Sequence, residues 1–256
     1  MHISLWQWVI AGSAAFLVGI SKTGVPGVGI LVVSILAYAF GGRTSVGIML
    51  PMLIIGDCFA VFWYRRHAEW DKILKIAPWV IAGLAVGTLT LWITGKTNGG
   101  SDVLGKLIGL LVLIMLALTL LQNRLGDRIT PTSPIGRSAT GLAAGFTTMI
   151  SNAAGPMMSI YLTAHGMPKN KFMGTIAWYF FIFNLSKLPV YFALSAANPA
   201  NPMITRSSLL LDLAVLPVIF LGALLGKWML YRIPQKGFET AVLGLAGLAA
   251  IKLIAG

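Results

Sequence analysis

Charged residues are scarce in this sequence, and acidic residues are the scarcest of them. Only 10% of the 256 residues are charged, seven are Asp or Glu, and 57% are hydrophobic. Soluble domains carry about 25% charged residues. This shortage therefore excludes a soluble globular protein.

Cysteine and enzyme signatures are also sparse. Cys58 is the single cysteine, which excludes an internal disulfide and a cluster of thiolate metal ligands. The sequence has no His-Glu-x-x-His zinc motif and no Gly-x-Ser-x-Gly nucleophile turn. Leu107 stands where a phosphate-binding loop that contains Gly105-Lys106 would need Ser or Thr. We therefore expect no catalytic residue, no cofactor and no bound metal.

Long apolar runs make up most of the chain. A helix of about 20 apolar residues crosses the hydrocarbon core of a bilayer, and the runs predict an all-α polytopic membrane protein in the cell membrane. The net charge of +12 then belongs to loops that face anionic lipid headgroups rather than to a nucleic-acid-binding surface. The eight predicted segments are 5–40, 44–64, 73–95, 102–121, 136–166, 172–195, 207–231 and 237–255.

Segments 5–40 and 136–166 are too long for one straight crossing. At about 1.5 Å per residue they would measure about 54 Å and 46 Å, against roughly 30 Å of hydrocarbon. A polar interruption containing Gly and Pro lies near the middle of each: 21–27 (Ser-Lys-Thr-Gly-Val-Pro-Gly) and 151–156 (Ser-Asn-Ala-Ala-Gly-Pro). Because unpaired backbone is costly in lipid, we expect both breaks to be buried in protein or to line a water-filled cavity.

The two interrupted segments mark an internal repeat. At an offset of 130 residues, Ile20-Ser21-x4-Pro26 falls on Ile150-Ser151-x4-Pro156, and Asp57 falls on Lys187. Broken helices at equivalent positions are typical of transporters that are built from structural repeats. We predict two repeats, 1–125 and 126–256, within a single membrane domain.

The basic residues between the segments distinguish two topologies. If all eight segments cross the membrane, the two sides receive nine and eight basic residues. If 5–40 and 136–166 instead enter and leave on the same side, the split becomes twelve to five, as the excess of Lys and Arg in cytoplasmic loops requires. Each repeat then has a re-entrant broken first helix and three transmembrane helices. The two repeats are inverted, and both termini lie outside the cytoplasm.

Three ionisable residues lie deep within apolar segments, where a charge is costly and marks a candidate functional site. They are Lys22 in the first break, Asp57 and Lys187. Two lysines against one aspartate leave a positive surplus, and the half-helix N-termini at the breaks add to it, so the site favours an anion. Asp57 either couples transport to a proton or only neutralises a lysine. The predicted substrate-binding residues are Ser21, Lys22, Thr23, Gly24, Gly27, Ser151, Asn152, Gly155, Asn184 and Lys187.

Other polar and small residues in the apolar segments have simpler explanations. Asp212 and Lys227 fall near the two ends of segment 207–231, so we expect both at the membrane interface. Glycines four residues apart predict helix faces that pack closely. These pairs are Gly83 and Gly87, Gly105 and Gly109, Gly141 and Gly145, and Gly222 and Gly226.

Several of these motifs together resemble one known family. They are the interrupted helices 19–27 and 145–156, Gly56-Asp57 followed by Trp63-Tyr64-Arg65-Arg66-His67, and Asn184-x2-Lys187-x-Pro189. The chain resembles the TauE/SafE sulfite exporter family of anion transporters, also called the toluene-sulfonate uptake permease family, over essentially its whole length. The resemblance implies transport of small sulfur-containing or carboxylate anions.

The leading interpretation is a secondary transporter that moves a small anion, such as sulfite or a sulfonate like sulfoacetate, by alternating access. A proton is a candidate coupling ion, and the sequence leaves open whether two copies form a homodimer. A passive anion channel fits the same features. A third interpretation is an intramembrane enzyme that acts on a lipid-borne substrate with Lys22 as nucleophile or base. Such a lysine would need an orienting partner, and no second motif supplies one.

Overall fold

The computed structural model describes residues 3–97, 100–125, 133–163, 165–232 and 251, and this part of the chain is helical without any strand. Short 3-10 turns at Pro26–Val28 and Arg65–His67 connect some of the helices. The ten α-helices of the described residues are α1 (Leu5–Thr23), α2 (Gly29–Phe40), α3 (Gly42–Tyr64), α4 (Trp70–Lys96), α5 (Gly100–Leu125), α6 (Pro134–Ser151), α7 (Gly155–Thr163), α8 (Lys169–Ala197), α9 (Arg206–Ala214) and α10 (Leu216–Arg232).

Five helices are long and apolar enough to cross a bilayer: α1, α3, α4, α5 and α8. The α9–α10 pair also qualifies by length and composition, which gives up to six spans in the described residues. The chain is therefore a multi-pass membrane protein. The predicted eighth segment, 237–255, lies almost entirely outside the described residues.

The predicted segment 207–231 is not one straight helix. Its two halves, α9 and α10, are bent by 46°, and Val215 separates them. Pro217 explains the bend, because it has no N–H to donate to the carbonyl of Leu213 and its ring obstructs a continuous helix.

The first overlong segment breaks where the sequence predicts. Helix α1 ends at Thr23, the chain turns through residues 24–28, and α2 begins at Gly29. The side-chain amide of Gln7, in the first turn of α1, donates a 2.9 Å hydrogen bond to the carbonyl of Ala39, near the end of α2. Because these two positions meet, the α1–α2 hairpin enters and leaves at the same end of the molecule.

The second overlong segment also breaks as predicted, after α6. Asn152 follows α6 in the left-handed conformation, with φ of 59°, which Asn tolerates better than most residues. In the first half of α6, a Cβ on Gly141 would lie 2.6 Å from Cβ of Trp79, which lies in the first half of α4. Near the end of α7, the hydroxyl of Tyr161 donates a 3.1 Å hydrogen bond to the carbonyl of Lys72, also early in α4. The α6–α7 hairpin therefore begins and ends beside the start of α4.

The two hairpins enter from opposite ends of the molecule. The α1–α2 hairpin leaves beside the start of α3, and α3 carries the chain to the other end, where α4 and the α6–α7 hairpin begin. The start of α8 also lies there, because Lys171 forms a 2.8 Å ion pair with Glu69. We call this second end the basic end, because Arg65, Arg66, Lys72, Lys75, Arg137, Lys169 and Lys171 lie on its loops and first helical turns.

Two helix pairs pack with their backbones in contact. A Cβ on Gly145 of α6 would collide with the carbonyl oxygen of Val80 in α4, and one on Gly222 of α10 would collide with that of Phe16 in α1. Small residues at such contacts allow close packing of membrane helices. The predicted close-packing role is confirmed for Gly83, Gly87, Gly141, Gly145, Gly222 and Gly226.

Candidate functional site

The two breaks meet around one cavity of about 40 Å³. A single water needs about 10 to 15 Å³ of such cavity volume, so the cavity can hold a few waters or the polar atoms of a small ion. The first residues of α2 and α7 line it, and helix N-termini favour negative charge. Its polar side chains are Ser21, Lys22, Asp57, Asn152 and Asn184. Its remaining lining consists of Gly29, Ile30, Met49, Leu53, Ala153, Gly155, Pro156, Ile176, Ala177 and Phe180.

Lys22 supplies the positive charge of this cavity. Its Nζ lies 2.7 Å from Oδ1 of Asp57 and 4.2 Å from the ring centroid of Phe180. The other carboxylate oxygen of Asp57 accepts a 2.7 Å hydrogen bond from Nδ2 of Asn184. Asp57 is fully buried, and its two oxygens contact these two partners from α1 and α8.

The local sequence explains how Lys22 reaches Asp57. Lys22 lies in the last turn of α1, where a cation also interacts favourably with the helix dipole. Gly56 precedes Asp57 in α3, and a Cβ there would lie 3.0 Å from Cγ of Lys22 and 3.2 Å from Cγ1 of Val18. Glycine at position 56 therefore lets the end of α1 approach α3 closely enough for the ion pair to form.

Lys187 forms hydrogen bonds to the residues of the second break. Its Nζ donates hydrogen bonds to the carbonyl and hydroxyl oxygens of Thr148, both at 3.0 Å, and to Oδ1 of Asn152 at 2.6 Å. Nδ2 of Asn152 in turn donates to the carbonyl of Val46 at 3.2 Å. An ammonium group has three N–H donors, and these bonds use all of them. Lys187 thus ties the C-terminus of α6 and the left-handed Asn152 to α8.

The contacts of the two lysines, rather than the lysines themselves, fall at corresponding positions in the two halves of the chain. At the offset of 130 residues, Lys22 corresponds to Asn152 and Asp57 corresponds to Lys187. Within the first half, Lys22 contacts Asp57 at 2.7 Å. Within the second half, the corresponding residues Asn152 and Lys187 are in contact at 2.6 Å. Each half therefore links its break to the long helix that follows, but the lysine lies on the break in one half and on the long helix in the other.

The structure brings together part of the predicted site. Ser21, Lys22, Asn152, Gly155 and Asn184 line the cavity with Asp57. The other predicted binding residues, Thr23, Gly24, Gly27, Ser151 and Lys187, do not line it.

Three of these outlying residues have clear structural contacts. The hydroxyl of Thr23 lies 2.7 Å from the carbonyl oxygen of Ala223 in α10. Gly24 packs so closely on Gly226 that a Cβ would collide with its backbone. The hydroxyl of Ser151 donates a 2.9 Å hydrogen bond to the carbonyl of Thr147 within its own helix. The contacts of Thr23 and Gly24 hold the first break against α10, whereas the bond of Ser151 stays within α6.

The structure buries one acid that the sequence analysis did not assign to the site. Asp212, expected at the interface, is only 2% exposed. The backbone N–H groups of Met203 and Ile204 both donate to Oγ of Ser195, at 3.0 Å, so the segment before α9 folds onto α8 and is buried with it. The rule that marked Lys22 and Asp57 also applies to Asp212, but the polar residues 206–208 suggested a membrane boundary at this point.

A multi-pass membrane protein in which two interrupted helices converge on a buried, lysine-bearing cavity has the architecture of a transporter. The sequence model of the family described as Sulfite exporter TauE/SafE matches residues 11–253. The chain belongs to this family of membrane transporters, and the resemblance inferred from its motifs is confirmed. No curated protein and no solved structure shows a significant match to the chain.

Proposed function

We propose that the protein is a secondary transporter of the cell membrane that moves a small anion by alternating access. The candidate substrates are sulfite, a sulfonate such as sulfoacetate, and related carboxylate anions. The observation that carries this proposal is the position of Lys22 in the cavity that both helix breaks line. Family membership supports an anion as the substrate.

The charges around the cavity favour one bound anion. Lys22 and Asp57 neutralise each other, whereas the contacts of Lys187 are with a carbonyl, a hydroxyl and an amide oxygen. One positive charge therefore remains among these three residues, and one anionic group, such as hydrogensulfite or a single sulfonate or carboxylate group, would balance it. Because buried charges are stable only when they are compensated, the empty site should gain from anion binding.

Specific donors are available for the oxygens of such an anion. The described hydrogen bonds of Lys22 use one of its N–H groups on Asp57, which leaves donor capacity for a ligand in the cavity. The N-termini of α2 and α7 line the same space and offer backbone N–H groups to an anion. We therefore propose Ser21, Lys22, Asn152, Gly155 and Asn184 as the substrate-contacting residues, with Asp57 as the charge partner that orients Lys22.

Alternating access requires two halves that can exchange their roles at the two membrane surfaces. We propose that residues 1–125 and 126–256 are inverted repeats, as the matching contacts of Lys22 with Asp57 and of Lys187 with Asn152 suggest. The entry of the two hairpins from opposite ends is consistent with inversion. In such transporters one repeat moves against the other around a central binding site.

Uptake into proteoliposomes tests this function. Labelled sulfite, sulfoacetate and acetate are offered to vesicles that contain the wild type, with and without a pH gradient. The variant Lys22→Met/Asp57→Asn removes the ion pair without leaving either charge alone, and Lys106→Met removes an exposed lysine of α5 as a matched control. We expect the wild type and Lys106→Met to take up at least one anion and the double variant to lose that uptake. Equal uptake by the double variant, or none above protein-free vesicles by the wild type, would contradict the proposal.

A further inference from the structure

A second buried acid lies outside the cavity. Asp212 belongs to α9, three residues before the bend at Val215. It lies on the face of α9 that also buries Ser208 and Leu211, and it is only 2% exposed. Neither of its carboxyl oxygens has a hydrogen-bond partner in the part of the chain that the structure describes.

No described charged group compensates Asp212. Helices α3 and α10 pack against α9, and their charged side chains have other partners or lie elsewhere. Arg43 donates to the carbonyls of Leu91 and Asn201, and Asp57 pairs with Lys22. Lys227 lies over the ring of Trp63 and Arg232 over that of Trp228, while Arg206 of α9 itself is exposed.

These surroundings indicate a neutral carboxyl group. An ionised carboxylate that is buried without hydrogen bonds or a counter-charge is strongly disfavoured, and such a group takes up a proton instead. We propose that Asp212 is the proton-binding site of the transport cycle, protonated in the conformation described here and deprotonated when the cycle exposes it to water. The coupling part of this inference rests on the proposed transport function, whereas the protonation part does not.

Asp57 is the poorer candidate for the proton. It and Asp212 are the two buried acids of the described residues. The charge of Asp57 is already compensated by Lys22 and Asn184, so this carboxylate needs no proton in the empty protein. The proton site and the anion site are thus two separate places.

The bend beside Asp212 offers a route from the proton to the anion site. Helix α10 follows the bend and contacts α1 backbone to backbone, since a Cβ on Gly19 would collide with the carbonyl oxygen of Ile219. Helix α1 ends with the turn that carries Lys22. A change of the angle between α9 and α10 when Asp212 loses its proton would therefore move α1 and the lysine together.

Infrared spectroscopy of the purified full-length protein tests the protonation directly. A protonated carboxyl group gives a C=O stretching band, which shifts when the aspartates carry ¹³C. At neutral pH we expect this band in the wild type, in Asp57→Asn and in Asp102→Asn, which removes an exposed acid of α5. We expect it to be lost in Asp212→Asn and to be replaced in Asp212→Glu by a carboxyl band that shifts only when the glutamates carry ¹³C. If the wild type shows no aspartate-dependent band, or if the band persists in folded Asp212→Asn, the inference is overturned. If Asp212→Asn does not fold, transfer of the band to the glutamate label in Asp212→Glu assigns it to position 212, and its persistence as an aspartate band there overturns the inference.

Transport measurements test the coupling. With labelled sulfite as the probe, Asp212→Asn should bind within about twofold of the wild type but should lose the stimulation of uptake by a pH gradient, because its amide cannot titrate. Asp212→Glu should retain stimulation. A pH-gradient response that is unchanged in Asp212→Asn would overturn the coupling role. If the wild type takes up no sulfite, the proposed function fails for this substrate, and the infrared result still decides whether Asp212 holds a proton.

Discussion

Lys22 and Asp57 are individually costly to bury, and each makes the burial of the other tolerable. The side chain of Asp57 is fully buried and that of Lys22 is 9% exposed. Replacing such a pair by neutral groups is often harmless, whereas removing one partner leaves an uncompensated charge in the interior. The ion pair is therefore a weak source of net stability but a strong constraint on which single substitutions the protein tolerates.

We predict that Lys22→Met destabilises the protein by about 3 to 5 kcal/mol, because it leaves the Asp57 carboxylate buried without its cation. The double variant Lys22→Met/Asp57→Asn should recover most of that loss. Chemical unfolding in detergent measures both. If Lys22→Met is as stable as the wild type, the buried ion pair between Lys22 and Asp57 does not form. Recovery of anion binding in the double variant would contradict the role of Lys22 in substrate contact.

Asn152 combines a backbone requirement with a side-chain role. Its left-handed conformation favours Gly or Asn, and its side chain bonds to Lys187 and Val46. We predict that Asn152→Gly and Asn152→Ala both destabilise the protein through loss of these bonds. The alanine variant should be worse by about 1 kcal/mol because it also strains the backbone. Unfolding curves of the two variants provide the measurement, and equal stabilities would argue against the left-handed backbone.

For individual residues, the sequence predicts which buried charges belong to the site better than it predicts their contact partners. The cost of a charge in lipid singles out Lys22, Asp57 and Lys187. It does not say which lysine pairs with Asp57, because that depends on how closely α1 and α8 approach α3, and Gly56 decides the approach of α1. The same rule did not mark Asp212, because Asp212 lies near the start of its apolar segment. The chain just before that segment is buried through a tertiary contact of residues 203 and 204 with Ser195, which the sequence does not reveal.

At the scale of whole elements, backbone contacts between helices hold the hairpins in place. Helix α6 packs on α4, and α1 packs on α10, at glycines whose missing side chains bring the backbones together. The first helix of each hairpin is thus fixed along its length, so the two breaks are held at the same cavity. The glycine spacing predicted these faces, but it did not predict which helices would pair.

We predict that Gly145→Ala destabilises the protein by about 1 to 3 kcal/mol, the usual cost of overpacking, because its Cβ would collide with the carbonyl oxygen of Val80. Gly12→Ala is the matched control, since nothing lies within 4 Å of a Cβ there. That variant should be neutral or slightly stabilising, as alanine is the better helix former. Thermal unfolding in detergent compares them, and equal melting temperatures would contradict the α4–α6 packing.

The breaks themselves were predictable and the bend at Val215 was not. Segments of 36 and 31 residues exceed the bilayer, so a break was required by length alone. Segment 207–231 has ordinary spanning length, and its Pro217 is compatible with a mild kink in a single helix. The direction of the chain after each break also depends on contacts between distant residues, such as that of Gln7 with Ala39.

At the scale of the whole molecule, the distribution of basic residues predicts the orientation in the membrane. Basic loops concentrate at the end where α4, α6 and α8 begin, and cytoplasmic loops carry the excess of Lys and Arg. We predict that this end faces the cytoplasm. The chain then enters α1 from the outside, because the start of α1 lies at the opposite end.

Cysteine labelling checks the orientation. In a Cys58→Ala background, Ala200→Cys lies beyond the end of α8 and His67→Cys lies in the turn after α3, and both positions are exposed. In intact cells an impermeant thiol reagent should label Ala200→Cys and should reach His67→Cys only after permeabilisation. The reverse pattern would invert the orientation, and labelling of both in intact cells would contradict the separation of the two ends.

Counterflow tests most directly whether the cavity between the breaks carries an anion by alternating access. Proteoliposomes are loaded with unlabelled sulfite and diluted into a trace of labelled sulfite. A carrier with one alternately exposed site should accumulate the label transiently above its equilibrium level, and Lys22→Met/Asp57→Asn should abolish that overshoot while Lys106→Met retains it. Uptake that only rises to equilibrium would indicate a channel. An undiminished overshoot in the double variant would place the transported anion somewhere other than at Lys22.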